Sequence, residues 1–156
     1  MELSIEPHKG IGPIRLGMTR AESRAAIDVA PHTYRKVPGS RLVDAYHGSV
    51  LQVFFDPHDR VQFIEVSNDK RTRALYRGVD IFALPAEEAV ALVGEDGLYD
   101  PNDPELGYAF TFRSLELTLW RATLPDEADE DDDDLAGGRV FATVGIGASG
   151  YFSSYG

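Results

Sequence analysis

The chain contains no cysteine, so disulfides, thiolate nucleophiles and cysteine metal ligands are all excluded. No stretch approaches the run of about 18 apolar residues that a membrane-spanning helix needs. Basic residues are scarce in the second half, where residues 78–156 hold three arginines against seventeen Asp/Glu. Residues 1–77 are nearly balanced, with twelve Lys/Arg and nine Asp/Glu. A net charge of −11 repels a phosphate backbone, so nucleic acid is not an expected partner. The one basic cluster, Lys70, Arg71, Arg73 and Arg77, reads as a solvated linker. The opening MELSIEPHKGIG shows neither a basic n-region nor an apolar h-region, so no signal peptide is read and the expected location is cytoplasmic.

What is present suits a folded domain. Of the 156 residues 43% are hydrophobic, including eight Phe, seven Tyr and one Trp, enough to fill the core of one compact globule. The stretch GPIRLGMTRAESRAAI at 12–27 has a counterpart, GVDIFALPAEEAVALV, at 78–93. Gly12 and Gly78, and likewise Glu22 and Glu88, are sixty-six positions apart. The same offset links Tyr46 to Phe112, Leu51 to Leu117, Val53 to Leu119 and Phe54 to Trp120. Past the hairpin it grows to seventy-nine, and the thirteen extra residues form an acidic loop.

Local signals give each half the same order. Thr19 and Glu22 make a capping box, which starts a helix over 20–28 with Ala21, Ala25, Ala26 and Ile27 as its apolar face. Residues 2–6 read as a short strand or an entry segment, and strands are expected at 42–46, 50–55 and 61–66, with Asp56-Pro57-His58-Asp59 as a hairpin turn. Residues 68–77 read as a polar connector. The second helix takes Pro85 in its first turn and Gly94 as its C-cap. Strands follow at 108–113, 115–121 and 139–144. The expected fold is α+β, a tandem repeat of a helix packed on an antiparallel three- to four-stranded sheet. The units are 1–70 and 78–156, the second carrying the acidic loop at 125–138, within one globule.

The string IGPIRLGMTRAE resembles the G-x-I-x-L-G-M-T-x-x-E helix entry of a group of small uncharacterised bacterial proteins. Their pattern continues here as Asp44-Ala45-Tyr46, then 51–56, then 61–65, and ends in Gly150-Tyr151-Phe152. By architecture the chain is similar to the β-lactamase inhibitor proteins and to the small lipoproteins of outer-membrane assembly. Both pack a helical element on antiparallel strands, and the inhibitors use that unit twice. The resemblance implies a scaffold and carries over no catalytic residue. The chain lacks the lipobox cysteine of the lipoproteins and the disulfides of the inhibitors, so neither group's target is carried over.

The residues themselves assemble no catalytic or metal motif. His8, His32, His47 and His58 share no ligand spacing. Gly147-Ala148-Ser149-Gly150 falls short of a nucleophile elbow because Tyr151 stands where its last glycine would be. The expectation is therefore no enzyme, no cofactor and no metal. The favoured reading is a protein-binding module of the immunity or inhibitor type, its partner another protein, of basic character. Candidate partner-binding residues are Asp131, Asp132 and Asp133 in the acidic loop and the aromatic Tyr151, Phe152 and Tyr155. The acidic loop itself reads as a solvated segment held open by self-repulsion. The alternative is a small-ligand binder or enzyme with a cleft between the two units, where Glu65, Asp44 and His47 would converge. No expectation is set for the oligomeric state.

Overall fold

The structure is a computed structural model describing residues 1–155, with side chains described through Ser153. It is α+β, with two sheets and two α-helices. The larger sheet has seven strands, all antiparallel to their neighbours. Its chain-order members are β4 (His32–Arg35), β5 (Leu42–Tyr46), β6 (Leu51–Phe55), β7 (Val61–Ser67), β10 (Ala109–Phe112), β11 (Leu117–Trp120) and β12 (Thr143–Gly147). The order across the sheet is β10-β11-β12-β7-β6-β5-β4. The two halves of the chain meet where β12 pairs with β7, setting Gly145 opposite Glu65.

The smaller sheet holds β1 (Glu2–Glu6), β2 (Gly10–Ile11), β3 (Ile14–Arg15), β8 (Arg73–Tyr76) and β9 (Val79–Asp80). Its central pair, β1 with β8, is parallel, and the Met1 ammonium donates to the Arg71 carbonyl at 2.7 Å. Residues 73–76 thus belong to a strand, not to a polar connector. Arg73 pairs with Glu2 at 3.0 Å and Arg77 with Glu95 at 2.9 Å, so two cations of the supposed linker are structural.

One apolar cluster joins everything on one face of the seven-stranded sheet. Leu51, Val53, Ile64, Val66, Leu117, Leu119, Val144 and Ile146 supply the sheet side. Leu3, Ile5, Ile11, Ala74 and Tyr76 come from the smaller sheet, and Ala86, Ala89 and Val93 from the second helix. Alternation along each strand puts the intervening residues on the opposite face. Burying a side chain such as Val93 contributes about 1.5–3 kcal/mol, and that helix is held mainly this way.

The first helix, α1 (Arg20–Ala25), is held differently. Its capping box is present: Glu22 N donates to Thr19 Oγ1 at 3.1 Å, and Thr19 N to Glu22 Oε1 at 3.0 Å. The helix stops at Ala25, three residues short of the expected end. Ala21 and Ala25, expected on its apolar face, are exposed, and its one buried residue is Ser23. Ion pairs to the sheet take over the work that so thin an apolar face cannot do.

The second helix, α2 (Ala86–Gly94), has Pro85 as its N-cap instead of a first-turn residue, and Glu95 instead of Gly94 as its C-cap. The last strand starts four residues later than expected and runs into the glycines, because Gly145 and Gly147 are needed inside the sheet. β4 was not expected at all; HTYR carries no apolar alternation that a strand signal would show.

The pairing registers keep the sixty-six-residue offset. Tyr46–Leu51, Ala45–Gln52 and Asp44–Val53 are paired in one half, and their counterparts Phe112–Leu117, Thr111–Thr118 and Phe110–Leu119 in the other.

Candidate functional site

On the face away from both helices, one register row crosses the whole seven-stranded sheet. It runs His32, Ala45, Gln52, Glu65, Gly145, Thr118, Thr111. Strands lie about 4.8 Å apart, so Glu65 and Thr118 stand two strands, about 10 Å, apart, with the Phe63 ring lying over the glycine between them. A cavity of about 430 Å3 opens here, lined by Glu65, Thr111, Thr118, Trp120, Thr143 and Phe152. Asp103 and Glu105, from the loop ahead of β10, complete its acidic side. Trp120 is the only tryptophan of the chain and is 39% exposed.

Glu65 stands at the sheet centre and is half-buried. Among the described residues its one side-chain bond is a long one, from Gln52 Nε2 at 3.5 Å. Gln52 in turn accepts from the Tyr34 hydroxyl. Among the described residues no cation pairs with Glu65, Asp103 or Glu105 within 4.0 Å. Burial pushes the Glu65 carboxyl above its ordinary range, and the charge of Lys36 pulls it partly back. Lys36 itself sits 5.7 Å from the centre of the Phe54 ring. At the other end of the row Thr111 donates to Asp103 at 3.1 Å and lies 3.3 Å from the Thr118 hydroxyl.

The C-terminal aromatics fold back onto this face. Tyr151 stacks on Phe63 at 4.7 Å and 14°, and Phe152 meets the same ring edge-on at 6.1 Å. The segment is tied down by Glu116, whose carboxylate accepts from Gly150 N at 2.9 Å and Phe152 N at 3.1 Å. Arg113 adds a bond to the Phe152 carbonyl at 3.1 Å. Glu116 is buried and holds a left-handed backbone, φ 48°. Of the expected partner-binding aromatics, Phe152 thus borders the cavity, and Tyr151 is packed on Phe63. The side chain of Tyr155 lies outside the described residues.

Asp131, Asp132 and Asp133 do not line the cavity. Their loop is mostly exposed and carries hydrogen bonds within itself. Asp132 accepts from Asp129 N at 3.1 Å, Asp133 from Ala136 N at 2.7 Å, and Gly137 N donates to the Asp133 carbonyl at 2.7 Å. No group of three His, Asp or Glu positioned to hold a metal occurs among the described residues. No helix among them is long and apolar enough to cross a membrane.

Asp44, Glu65 and His47 do not converge. Asp44 and Glu65 project from opposite faces of the sheet, and His47 sits past the end of β5 with φ 54°. Asp44, fully buried, accepts from Arg24 Nε and Nη2 at 2.8 Å each and from Arg20 Nη1 at 3.0 Å. Arg20 also holds Asp59, with contacts of 2.8–3.0 Å, and lies 3.8 Å over the Phe55 ring. The Arg20 bond draws the Asp59 carboxyl below its ordinary range. Sixty-six positions on, Arg20, Arg24 and Asp44 become Ala86, Val90 and Phe110, apolar residues that line one pocket between α2 and the sheet. The charged trio is therefore a brace for α1. Sequence spacing alone offered one clue to it, the i, i+4 arginines on a helix whose apolar face is thin.

Comparison with family models, with curated proteins and with solved structures returns no match for this chain.

Proposed function

We propose that this chain is a non-enzymatic protein-binding module of the immunity or inhibitor type, and that its partner docks on the outer face of the seven-stranded sheet. The observation carrying the reading is the placement of Trp120. It is exposed on a sheet face that neither helix nor the smaller sheet covers, beside a cavity walled by Phe152. Large aromatics at the rim of a pocket are the residues that anchor interfaces. The carboxylates beside it favour a basic partner, as does the net charge of −11. We further propose that the scaffold is a tandem repeat of one helix-on-sheet unit, supported by the constant offset of the pairing registers.

The test is capture from the source lysate, at low and high salt, with wild type and with Thr118→Arg. A single partner that saturates on wild type and is lost on Thr118→Arg supports the reading. No saturable partner at either salt, or one indifferent to the substitution, overturns it.

One observation favours a second reading. The cavity spans both halves of the chain, and its volume of about 430 Å3 falls in the size range of small-ligand pockets. A small-molecule binder or an enzyme using that cleft would show a calorimetric response to metabolite pools, with no protein partner.

A further inference from the structure

We infer that the Glu65 cavity is a receptor for one arginine side chain of a basic partner, with the guanidinium held by the Glu65 carboxylate and stacked beside Trp120. This rests on the protein-binding reading for the source of the arginine, and on the cavity alone for its chemistry.

Three features select the ligand. The cavity has a carboxylate on its floor whose single neutral donor, Gln52, is 3.5 Å away. A half-buried carboxylate so poorly paired gains most from a cation that brings several N–H donors. Trp120 supplies a π-face at the rim, and a planar guanidinium stacks on such a face better than an ammonium does. Thr118 and Thr143 offer hydroxyl acceptors on the cavity wall for a guanidinium that reaches Glu65. An anionic or neutral group would meet Glu65, Asp103 and Glu105 without compensation.

The chain already places one cation of its own nearby. Lys36, after β4, lies over Phe54 and attracts Glu65, yet makes no ion pair with it. Gln52 from β6 and the Tyr34 hydroxyl from β4 stand on the other side of Glu65, the Tyr34 hydroxyl feeling its charge, while Thr118, Asp103 and Glu105 line the same cavity. With its carboxyl held above the ordinary range by burial, Glu65 must lose a proton to receive a guanidinium. Binding accordingly strengthens as pH rises through the Glu65 titration.

The experiment titrates the protein with N-acetyl-arginine methylamide and reads the fluorescence of Trp120, which reports on this site alone. The neutral isostere N-acetyl-citrulline methylamide is the control. The expected result is a saturable change with the arginine probe and at least tenfold weaker binding of the citrulline probe. Glu65→Gln, which keeps shape and removes the charge, is expected to lose at least tenfold. The double variant Asp132→Asn, Asp133→Asn is expected to bind as wild type does, and circular dichroism checks that each variant is folded. Equal binding of the two probes, an unchanged Glu65→Gln, or loss on the acidic-loop variant overturns the inference. If the arginine probe binds but the lysate yields no partner, the docking reading falls and the site stands. If a partner is captured whose affinity Glu65→Gln leaves unchanged, the docking reading stands and this inference falls.

Discussion

The ring of Phe63 occupies the space of a side chain at Gly145: a Cβ built there would lie 2.3 Å from the ring tip. The two residues are on adjacent strands, β7 and β12, at the seam between the halves of the chain. Gly147 does the same for Tyr151, whose Cβ would be 2.6 Å from one built at that glycine. The aromatic stack on the outer face therefore exists because two glycines of the last strand leave it room.

Gly145→Ala is expected to destabilise the fold by about 1–3 kcal/mol, the usual cost of overpacking. Phe63→Leu in the same background should recover part of the loss, since the shorter side chain vacates the space. Urea unfolding of the two single variants and the double measures the coupling.

Tyr46→Phe is expected to raise stability by about 1 kcal/mol. The Tyr46 ring is fully buried and its hydroxyl has no hydrogen-bond partner among the described residues. Phe112, sixty-six positions later, already fills the matching place without a hydroxyl. Thermal unfolding decides the sign.

Asp44→Phe alone leaves Arg20 and Arg24 without their shared acceptor and is expected to cost about 3–5 kcal/mol. The triple variant Arg20→Ala, Arg24→Val, Asp44→Phe reproduces what residues 86, 90 and 110 hold. It should regain at least half of that loss. A triple variant no more stable than Asp44→Phe would argue that the two helices do not sit equivalently on the sheet.

Stability is expected to vary with pH through Glu65. Folding raises the pKa of this carboxyl, so the folded state keeps its proton where the unfolded chain has lost it. Its contribution is full below the unfolded value of about 4.3 and is lost as pH rises through the folded value. Glu65→Gln should therefore be more stable than wild type at neutral pH and equal to it in mild acid. Denaturant midpoints at two pH values test this. An equal gain at both would point to packing instead of charge.

Glu116→Ala removes the acceptor of two backbone bonds and is expected to loosen the segment from Gly150 to Phe152 with little effect on the core. Hydrogen exchange at the Gly150 and Phe152 amides should rise at least tenfold while that of Ile64 and Val66 is unchanged.

Much of the fold was legible where its causes are local. The Thr19–Glu22 box, the Asp56 turn and the strands β1 and β5 follow from side chains bonding within a few residues or from alternation along one strand. Asp59 closes that turn with φ 60° and its amide bonded to the Asp56 carbonyl at 2.9 Å. What stayed hidden depends on distant partners. Residues 73–76 look polar in isolation and become a strand only because Glu2–Ile5 lie beside them. The Arg20–Asp44–Arg24 brace needs a helix and a strand twenty residues apart to meet. At the candidate site, the aromatic Phe152 and the cleft candidate Glu65 could be named from the sequence, whereas Trp120 and Thr118 needed the register of the sheet. The acidic loop drew attention by charge density, which says nothing of how Asp132 and Asp133 spend their oxygens.

The parallel pairing of β1 with β8 sets an order on assembly. During synthesis the first strand leaves the ribosome some seventy residues ahead of the only neighbour that can seat its other edge. At roughly 5–20 residues per second that is a wait of several seconds, during which β4 to β7 can already zip up by neighbouring hairpins. The smaller sheet can then close over the first half of the framework, β4 to β7, before β10 to β12 are made, and a nascent chain halted before residue 73 would carry an open edge for chaperones to hold.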